Sequence, residues 1–537
     1  MTDFAALLKG GEEGSAVVAG KPEVSNLLAL IKPNAEGKVE MPQKAEPLHE
    51  SQVALISRWI SEGARDDTPA SAKAQWDMEH PPVYVTPPAI TSIDYSPDGK
   101  FIAVAGYHEV LVHKADGSGI AARLVGLAER IQKVAWSPDG KKIAVSGGSP
   151  ARMGELQVWD VEKKKLELSK SETFDTIYGV SWSPDGKQIA FGASDNAMRA
   201  VDAMTGKQTA FLLSHSDWVL DTVWGLNGQF VASCGRDMSV KLTEVATQRF
   251  VDNVTSIPPG ALKGGVHVVA RHPTRNEILI GGTDGVPQIY RMERITKRVI
   301  GDNANLIRKF PAMQGRIFGV DFAPDGKRIV AGASHNASGM VNIYSSEYDS
   351  ALPEEVKKIV ETANHKADTD PTIQAYVTKD VKLLASIPIA TGGIYAVTFS
   401  PDGKTVAAAG QDGKIRLIDS AAGKIAKEFM SVPLVEKKQL AASDVIADDT
   451  VRVAVEKEDK PESLPAGAKV TDITVQPSAI QIRKPNEYAQ LIITAKLADG
   501  TLADVTRMAK ISLQSGAVVE TSQRGLVRPS DDGKGVL

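Results

Sequence analysis

Thiols are nearly absent from this chain of 537 residues, which contains a single cysteine, Cys234. A lone thiol excludes an internal disulfide bond, and its strand-like apolar neighbours predict a buried, inert side chain. No apolar run is long enough to span a bilayer. The first residues, Met1 to Phe4, include neither a basic nor an apolar segment, so no signal peptide is visible.

The charge of the chain is close to balanced, with 62 Lys and Arg against 66 Asp and Glu and a net charge of −4. Nucleic acid and anionic membranes attract proteins that have a large excess of positive charge, and the sequence shows no such excess. The apolar share of 42% is ordinary and supports a sizeable core. A chain of this length and composition is expected to form several domains.

A short turn motif recurs along the chain and is its most informative feature. Copies that read Ser/Ala-Pro-Asp-Gly-Lys stand at residues 96–100, 137–141, 183–187, 323–327 and 400–404, with a worn copy at 225–229. An Asp-Gly or Asn-Gly pair places glycine where φ must be positive, which makes a tight hairpin. An aromatic residue precedes most copies and an alternating apolar strand follows them, so each copy predicts an antiparallel hairpin.

The spacing of these turns predicts the fold class. Successive copies from Asp98 to Asn227 are 41, 46 and 42 residues apart, and a degenerate turn at residues 272–276 completes seven units. A period of about 40–45 residues corresponds to one four-stranded propeller blade. The sequence therefore predicts a mainly β chain with a seven-bladed β-propeller over residues 76–434. Closing the ring would bury the faces of the sheets and remove most free edges.

Beyond the turn, the unit resembles the WD-repeat family. Residues 154–160 end in Trp159-Asp160, like the Trp-Asp strand of that family, and His215, Ser233 and Asp237 resemble its structural His, Ser and Asp. The resemblance implies that these polar groups form hydrogen bonds within a blade. Other units have lost the tryptophan, and that position is occupied by Val201, Thr243, Tyr290, Tyr344 and Ile418.

Residues 1–75 differ from the repeats and are predicted to be helical, with helices near residues 24–31 and 51–60 and a C-cap at Gly63. In the second helix the apolar positions are Val53, Ile56 and Ile60, together with Leu55 and Trp59.

The motifs of this region, at residues 9–12, 20–28, 41–44 and 59–64, resemble the later half of a planctomycete-type cytochrome c domain. That resemblance implies haem c in the full-length family member, with Met41 of the Met-Pro pair as the candidate axial ligand.

The chain departs from the cytochrome family at the point that decides haem attachment. It contains no CxxCH motif, because Cys234 is its only cysteine. We therefore expect that this chain binds no cofactor and that it starts partway through the cytochrome-like domain. We also expect a CxxCH motif and an export signal in the upstream reading frame. The alternative interpretation of Met41 is a loop residue that packs beneath the last helix. His49 is not assigned as a ligand.

Three further segments complete the predicted organisation. An insertion near residues 346–380, with a short helix at 353–360, either carries binding or is a solvated decoration. A charged linker covers 435–465. Residues 466–537 resemble a bacterial Ig-like domain of the group-2 type, on the strands at 470–477 and 491–497 and the steps Asp499-Gly500 and Asp504-Val505-Thr506. They are expected to form an incomplete β-sandwich.

The predicted function is that of a non-enzymatic interaction scaffold that binds a protein partner through the propeller face. The order of domains resembles that of planctomycete envelope proteins, which implies a periplasmic or cell-envelope location. No catalytic or metal-binding set is predicted, because the repeated aspartates are turn formers and the pairs His108/His113 and His267/His272 are assigned to structure. The alternatives are an enzyme that uses the propeller channel, of hydrolase or quinoprotein type, and an Ig-like surface adhesin.

The purified chain is expected to show no Soret absorbance after co-expression with cytochrome c maturation machinery, because covalent attachment of haem needs the two thiols of a CxxCH motif. Visible absorption spectroscopy checks this, with a protein that carries CxxCH as the positive control. A Soret band that persists after denaturation would contradict the expectation.

Overall fold

The structure is a computed structural model that divides into two compact units, Met1–Lys437 and Lys438–Leu537. It describes residues 7, 15–33, 39–41, 48, 50–65, 76–256, 263–299, 302–362, 370–435, 464, 468–477, 479–480, 489–498, 500–506, 508–512, 519–521 and 526–529. The predicted linker therefore lies almost entirely outside the described residues, as do His49 and Asp499.

The N-terminal part of the first unit is helical, as predicted. A 3₁₀ turn at Pro22–Val24 leads into α1 (Asn26–Ile31), and α2 covers Glu50–Ser61. Gly63 follows α2 with φ +100°, which is the C-cap geometry expected for glycine. Val53 and Ile60 pack against Leu28, whereas Leu55 is 67% exposed. The predicted apolar stripe was therefore wrong at Leu55. None of the helices in the described residues is long and apolar enough to cross a bilayer.

Antiparallel sheets form the rest of the first unit. Seven strands make the first sheet: β1 (Ile93–Tyr95), β2 (Phe101–Ala105), β3 (Tyr107–Lys114), β4 (Ile120–Trp136), β5 (Lys142–Ser149), β6 (Met153–Asp160) and β7 (Lys165–Thr173). Strand β4 pairs with β3 up to Arg130 and with β5 from Arg130 onward. This sheet therefore consists of two four-stranded units that share one long strand.

Each of the following five sheets has four strands in chain order. They are β8 (Ile177–Trp182), β9 (Gln188–Ala193), β10 (Met198–Asp202), β11 (Gln208–Leu212); β12 (Val219–Trp224), β13 (Phe230–Gly235), β14 (Val240–Glu244), β15 (Arg249–Asn253); β16 (Val266–Arg271), β17 (Glu277–Gly282), β18 (Gln288–Arg291), β19 (Leu306–Lys309); β20 (Arg316–Phe322), β21 (Arg328–His335), β22 (Ser338–Ser345), β23 (Lys382–Ile389); and β24 (Ile394–Phe399), β25 (Thr405–Gly410), β26 (Lys414–Asp419), β27 (Lys424–Met430).

The first strands of these units contact one another in order. β4 contacts β1 and β8, and further contacts join β8 to β12, β12 to β16, β16 to β20, β20 to β24 and β24 to β1. The outer strand of the last sheet is β27, at Lys424–Met430. Before β1, Tyr84 forms an isolated parallel bridge to Leu434. The chain is thus mainly β, as predicted.

The recurring turns have the predicted geometry. Gly99, Gly140, Gly186, Gly326 and Gly403 have φ between +67° and +71°. In the four Ser copies the Asp side chain accepts hydrogen bonds from the Ser hydroxyl and from the backbone N–H of the Lys. The same Ser hydroxyl also accepts a hydrogen bond from the backbone N–H of the first residue in the next strand. One side chain is therefore bonded to both sides of the turn.

The insertion between β22 and β23 is packed against the body. It contains α3 (Glu354–Val360) and α4 (Pro371–Thr378), and only the first was predicted. Val356, Val360, Ile373, Tyr376 and Val377 are buried together with residues of the third and fourth sheets (β12–β15 and β16–β19). The described part of the insertion is therefore not a solvated decoration.

Two buried arginines hold the insertion in place. Arg308, on β19, lies with its guanidinium carbon 4.9 Å from the Tyr348 ring and 5.0 Å from the Tyr376 ring, and its Nη2 donates to the carbonyl of Asp349 at 3.0 Å. Arg291 donates to the Tyr376 hydroxyl and to the carbonyl of Ser350. Since Arg308 is 1% exposed, its charge depends on these ring and carbonyl contacts.

The second unit contains two three-stranded antiparallel sheets in its described residues. One is formed by β28 (Val470–Gln476), β30 (Ile492–Leu497) and β31 (Leu502–Asp504), and the other by β29 (Ala489–Gln490), β33 (Leu526–Pro529) and β32 (Val519–Thr521). Thr506 accepts the N–H of Ile493 at 2.8 Å and donates to Asp504 at 2.6 Å. The Ig-like resemblance of this unit stays a prediction.

Replacing Arg308 by Met is expected to loosen the insertion, because the apolar side chain cannot hold the Asp349 carbonyl or stack as a cation on the two tyrosines. We expect a loss of about 2–4 kcal/mol in the free energy of unfolding and faster tryptic cleavage after Lys357 and Lys358. Limited proteolysis followed by mass spectrometry measures the second effect. Arg298→Met, at a residue whose side chain is 61% exposed, is the matched control. Equal cleavage rates for both variants would contradict the role of Arg308.

Candidate functional site

A β-bulge recurs at the same place in six first strands. The pairing register shifts four residues before the strand end in β4, β8, β12, β16, β20 and β24. The residues left out of register are Gln132, Tyr178 with Gly179, Leu220, His267, Phe318 and Tyr395. A bulge re-aims a side chain, so these residues share one position at the end of the first strands opposite the Pro-Asp-Gly turns.

Four of these bulge positions carry an aromatic or imidazole ring, and a fifth ring joins them from the loop before β12. We call Tyr178, Trp218, His267, Phe318 and Tyr395 the aromatic arc. Tyr178 stacks on Trp218 with ring centroids 5.5 Å apart, His267 lies 4.9 Å from Phe318, and Phe318 lies 5.4 Å from Tyr395. All five are half-buried, so each ring is held by the protein and still open to a partner.

A buried polar network fixes the loop that carries Trp218. His215 Nδ1 lies 3.0 Å from both carboxylate oxygens of Asp237, and His215 Nε2 lies 2.8 Å from Ser233 Oγ. Asp237 also accepts the backbone N–H of Ser216 and the hydroxyl of Ser239. Although burial opposes ionisation of Asp237, these hydrogen bonds and the charge of His215 lower its pKa to about 2. The structure thus brings together three of the residues singled out from the sequence.

The order Ser233–His215–Asp237 has the connectivity of a catalytic triad, but its burial does not fit catalysis. Ser233 is 0% exposed within β13, and the His215 side chain is also fully buried. A nucleophilic serine must reach a substrate carbonyl, and this hydroxyl faces protein on every side. Cys234, the next residue, is equally enclosed, and burial raises the pKa of its thiol.

The other two residues singled out in the WD pattern lie in a different unit. Trp159 is 2% exposed, packs between β2–β4 and β5–β6, and donates from Nε1 to Gln157 at 2.7 Å. Asp160 accepts the backbone N–H of Lys163 at 2.9 Å in an exposed turn. At the position equivalent to Trp159, Thr243 is buried and its hydroxyl has no hydrogen-bond partner among the described residues.

The residues present do not fit covalent haem. The only thiol is on β13, far along the chain from the helical region and enclosed by protein. Met41 is 43% exposed, and its backbone N–H donates to the carbonyl of Leu30 at 2.9 Å. Its assignment as an axial ligand stays a prediction from resemblance. Within the described part of the chain, no three His, Cys, Asp or Glu side chains form a group that could hold a metal ion.

Acidic side chains stand further along the first strands than the positions of the aromatic arc. Asp94 and Asp321 stand one residue before the aromatic strand ends of β1 and β20, and each accepts the backbone N–H of the next first strand, from Trp136 at 2.7 Å and from Phe399 at 2.8 Å. Asp221 forms an ion pair with Lys133 at 2.5 Å. We call Asp94, Asp221, Asp321 and Lys133 the acidic cluster.

Burial dominates the ionisation of Asp94 and Asp321. It raises the pKa of Asp94 to about 7, with a further contribution from the charge of Asp321, and it raises the pKa of Asp321 to about 6. Lys133 and the backbone hydrogen bonds act in the opposite direction and do not compensate. Near neutral pH these two carboxyl groups are therefore protonated to a larger extent than free ones.

A cavity of about 470 Å³ lies between the insertion helices and the fourth sheet, β16–β19. Apolar residues of α3, α4 and β19 form much of its wall, and the charged groups at its lining are Lys263, Asp284 and Lys309. Among the described residues that line it there is no His, Cys or Ser, and Asp284 is the single carboxylate. The enzyme alternative concerns the propeller channel, so this cavity beside the insertion does not test it.

These observations define a mainly β protein built largely of four-stranded antiparallel units, and two stretches of it match WD40 family models. Residues 381–419 match the family model described as WD domain, G-beta repeat, and residues 151–227 match the one described as Anaphase-promoting complex subunit 4 WD40 domain. Comparison with curated protein sequences gave no match. WD40 domains mediate protein–protein interactions, and WD40 propellers are generally non-catalytic scaffolds.

Neither the aromatic arc nor the acidic cluster was predicted from the sequence. The aromatic residues considered there are those that precede the turns, and His267 was assigned to structure. The missed signal is positional, since Tyr178, Phe318 and Tyr395 each stand four residues before a predicted strand end.

Asp94→Asn is expected to flatten the dependence of stability on pH. Because the pKa of Asp94 is raised above that of a free carboxyl, the folded protein keeps a proton that the unfolded chain has released above about pH 4. The contribution of Asp94 to stability is therefore full below about pH 4 and falls as the pH rises towards 7. Asn keeps the hydrogen-bond acceptor for the N–H of Trp136 without the charge. Between pH 5 and 8 the free energy of unfolding of the variant should therefore fall by about 2 kcal/mol less than that of the unsubstituted protein.

Urea unfolding followed by tryptophan fluorescence at pH 5, 6.5 and 8 measures this difference. Asp98→Asn is the control, because hydrogen bonds from Ser96 and Lys100 lower the pKa of that exposed turn residue. The protonation of Asp98 therefore changes stability only at pH values below this range. The same pH slope in Asp94→Asn and in the unsubstituted protein would contradict the assignment.

Proposed function

We propose that this chain is a non-enzymatic interaction scaffold whose aromatic arc binds a protein partner. The observation that carries the proposal is the repeated bulge, which turns rings from successive sheets towards one place. Interfaces are enriched in Tyr, Trp and Phe, and these residues supply large contact areas at little entropic cost. The WD40 matches support the same class of function.

We further propose that the first unit is a closed, seven-bladed propeller. The shared strand β4 gives two four-stranded units, and five further sheets follow. Support for closure comes from the contacts between β1 and β24, from the hydrogen bond of Ile90 N–H to the carbonyl of Gly410 at 2.9 Å, and from the bridge between Tyr84 and Leu434. A closed ring holds the arc residues at fixed separations, as a preorganised surface requires.

The location of the protein and its relationship to haem-binding proteins are proposals from resemblance. The similarity of residues 9–64 to the later half of a cytochrome c domain, and of residues 466–537 to an Ig-like domain, supports a cell-envelope location and a haem-binding relative. The scaffold function of the arc does not depend on either.

Substitution of the arc is expected to abolish partner binding and to leave the fold intact. The variant Phe318→Ser/Tyr395→Ser removes two half-buried rings, and Met204→Ser is the control, since Met204 is 78% exposed in the turn between β10 and β11. Proteins captured by the unsubstituted chain and by the control, but not by the arc variant, are identified by mass spectrometry. The purified partner is then titrated, with an expected loss of affinity of about tenfold or more. Equal affinities for all three proteins would contradict the proposal.

A further inference from the structure

We propose that the cavity between the insertion helices and the fourth sheet binds a fatty acid, an amphiphile with a carboxylate head and one unbranched alkyl chain. The head lies between Lys263 and Lys309, and the alkyl chain lies against α3, α4 and β19. This inference does not depend on the aromatic arc, because other residues line the cavity. Three features lead to it: the apolar wall, the position of the charged groups, and two ammonium groups without an ion-pair partner.

Much of the cavity wall is apolar. Its apolar lining includes residues from both insertion helices and from β19: Val356, Val360, Ile373, Val377 and Leu306. Leu306 and Lys309 both line the cavity and are three residues apart on β19, which corresponds to about 10 Å of strand. The volume of about 470 Å³ is typical of small-molecule sites. A cavity of this size with such a wall suits an alkyl chain, which needs no hydrogen-bond partner.

The charged groups of the lining share one end of the cavity. Lys309 is paired in register with Gln288, and Nε2 of Gln288 lies 3.4 Å from Oδ2 of Asp284. Lys263 comes two residues before the carbonyl that accepts the backbone N–H of Thr283, the neighbour of Asp284, at 3.0 Å. The described lining residues that come from the insertion include no charged side chain. The cavity therefore has one charged end and one uncharged end.

The charged end has an excess of positive charge. Lys263 and Lys309 take part in none of the ion pairs among the described residues. Asp284 is the single carboxylate of the described lining, and it accepts the backbone N–H of Val286 at 3.1 Å. Two ammonium groups against one carboxylate attract an anionic head and repel a cationic one.

The exposure of the lysines decides where the head lies. Lys263 and Lys309 are exposed, whereas Val356, Ile373 and Val377 are buried. A carboxylate between exposed ammonium groups keeps part of its hydration, so binding does not require the transfer of a charge into the protein interior. The alkyl chain gains from burial, because each CH₂ group removed from water contributes favourably. A fatty acid combines these two parts in one linear molecule.

The test is isothermal titration calorimetry of the full chain with octanoate, decanoate and dodecanoate, each below its critical micelle concentration. We expect saturable binding of one molecule per chain. The affinity should rise about fourfold for each added CH₂ group until the alkyl chain fills the cavity. An affinity that does not depend on chain length would overturn the inference.

The head group is tested with three decyl compounds of the same chain length. Decanol should bind about fivefold more weakly than decanoate, because it forms no ion pair with the lysines. Decyltrimethylammonium should bind more weakly still, because its charge is repelled. Equal affinities for the three compounds, or tighter binding of decanol, which is the most hydrophobic of them, would also overturn the inference.

Substitution of the two lysines tests whether the head lies at the charged end. Lys263→Gln/Lys309→Gln changes exposed side chains, and it should weaken decanoate about fivefold and leave decanol unchanged. Lys164→Gln/Lys207→Gln makes the same change of charge in exposed turns of the first and second sheets and is the matched control. Unchanged binding of decanoate to the first variant, or equal losses in both variants, would contradict the assignment.

A further variant tests where the alkyl chain lies. Ala304 lines the cavity and is 3% exposed, so Ala304→Leu fills part of the cavity and should shift the preference to a shorter fatty acid. Thermal unfolding checks that the variant is folded. If it is not, Leu352→Trp, at a half-buried position of the same lining, replaces it. A folded variant with the chain-length preference of the unsubstituted protein would place the alkyl chain elsewhere and refute the proposal.

Discussion

Apolar contact between neighbouring four-stranded units is the constraint on which the rest of the first unit depends, because the hydrophobic clusters of its described strands lie between such units. Ala144, Leu156 and Val158 of one unit, for example, are buried against Ile177 and Val180 of the next. Each sheet therefore needs its neighbours on both faces, and an error in one propagates to two interfaces. The repeated turn serves this packing, since it sets the register that turns one face of each strand inward.

The polar groups of the structure divide into those that hold the fold and those left open to a partner. The turn aspartates and the His215–Asp237–Ser233 network are satisfied internally, and the second set also fixes the loop of Trp218. The rings of the arc and the side chains of Asp94 and Asp321 differ, because they stay partly exposed.

Local features of the fold could be predicted from the sequence, and features that depend on packing could not. The Asp-Gly turns, the aromatic ends of β1 and β8, and α2 follow from turn chemistry and periodicity. Helix α4 was missed although Asp370 caps it and Pro371 opens it, because eight residues carry too little periodicity to stand out. The bulges at His267 and Phe318 form only when two strands pair, so the periodicity of a single sequence does not predict the surface that they build. The shared position of the rings before the strand ends is the signal that the sequence carries.

The long strand β4 affects the chemistry of the surface at the beginnings of the first strands, where the aromatic arc lies. It passes from one unit to the next without a loop, and the positions equivalent to the rings of the arc are occupied there by Thr91 and Gln132. Thr91 is bonded to the carbonyl of Ile131 at 2.6 Å. In the closed ring that we propose, polar side chains therefore interrupt the aromatic residues on one side. A ligand lying across such a ring would meet a different surface at each end, so its two orientations would not be equivalent.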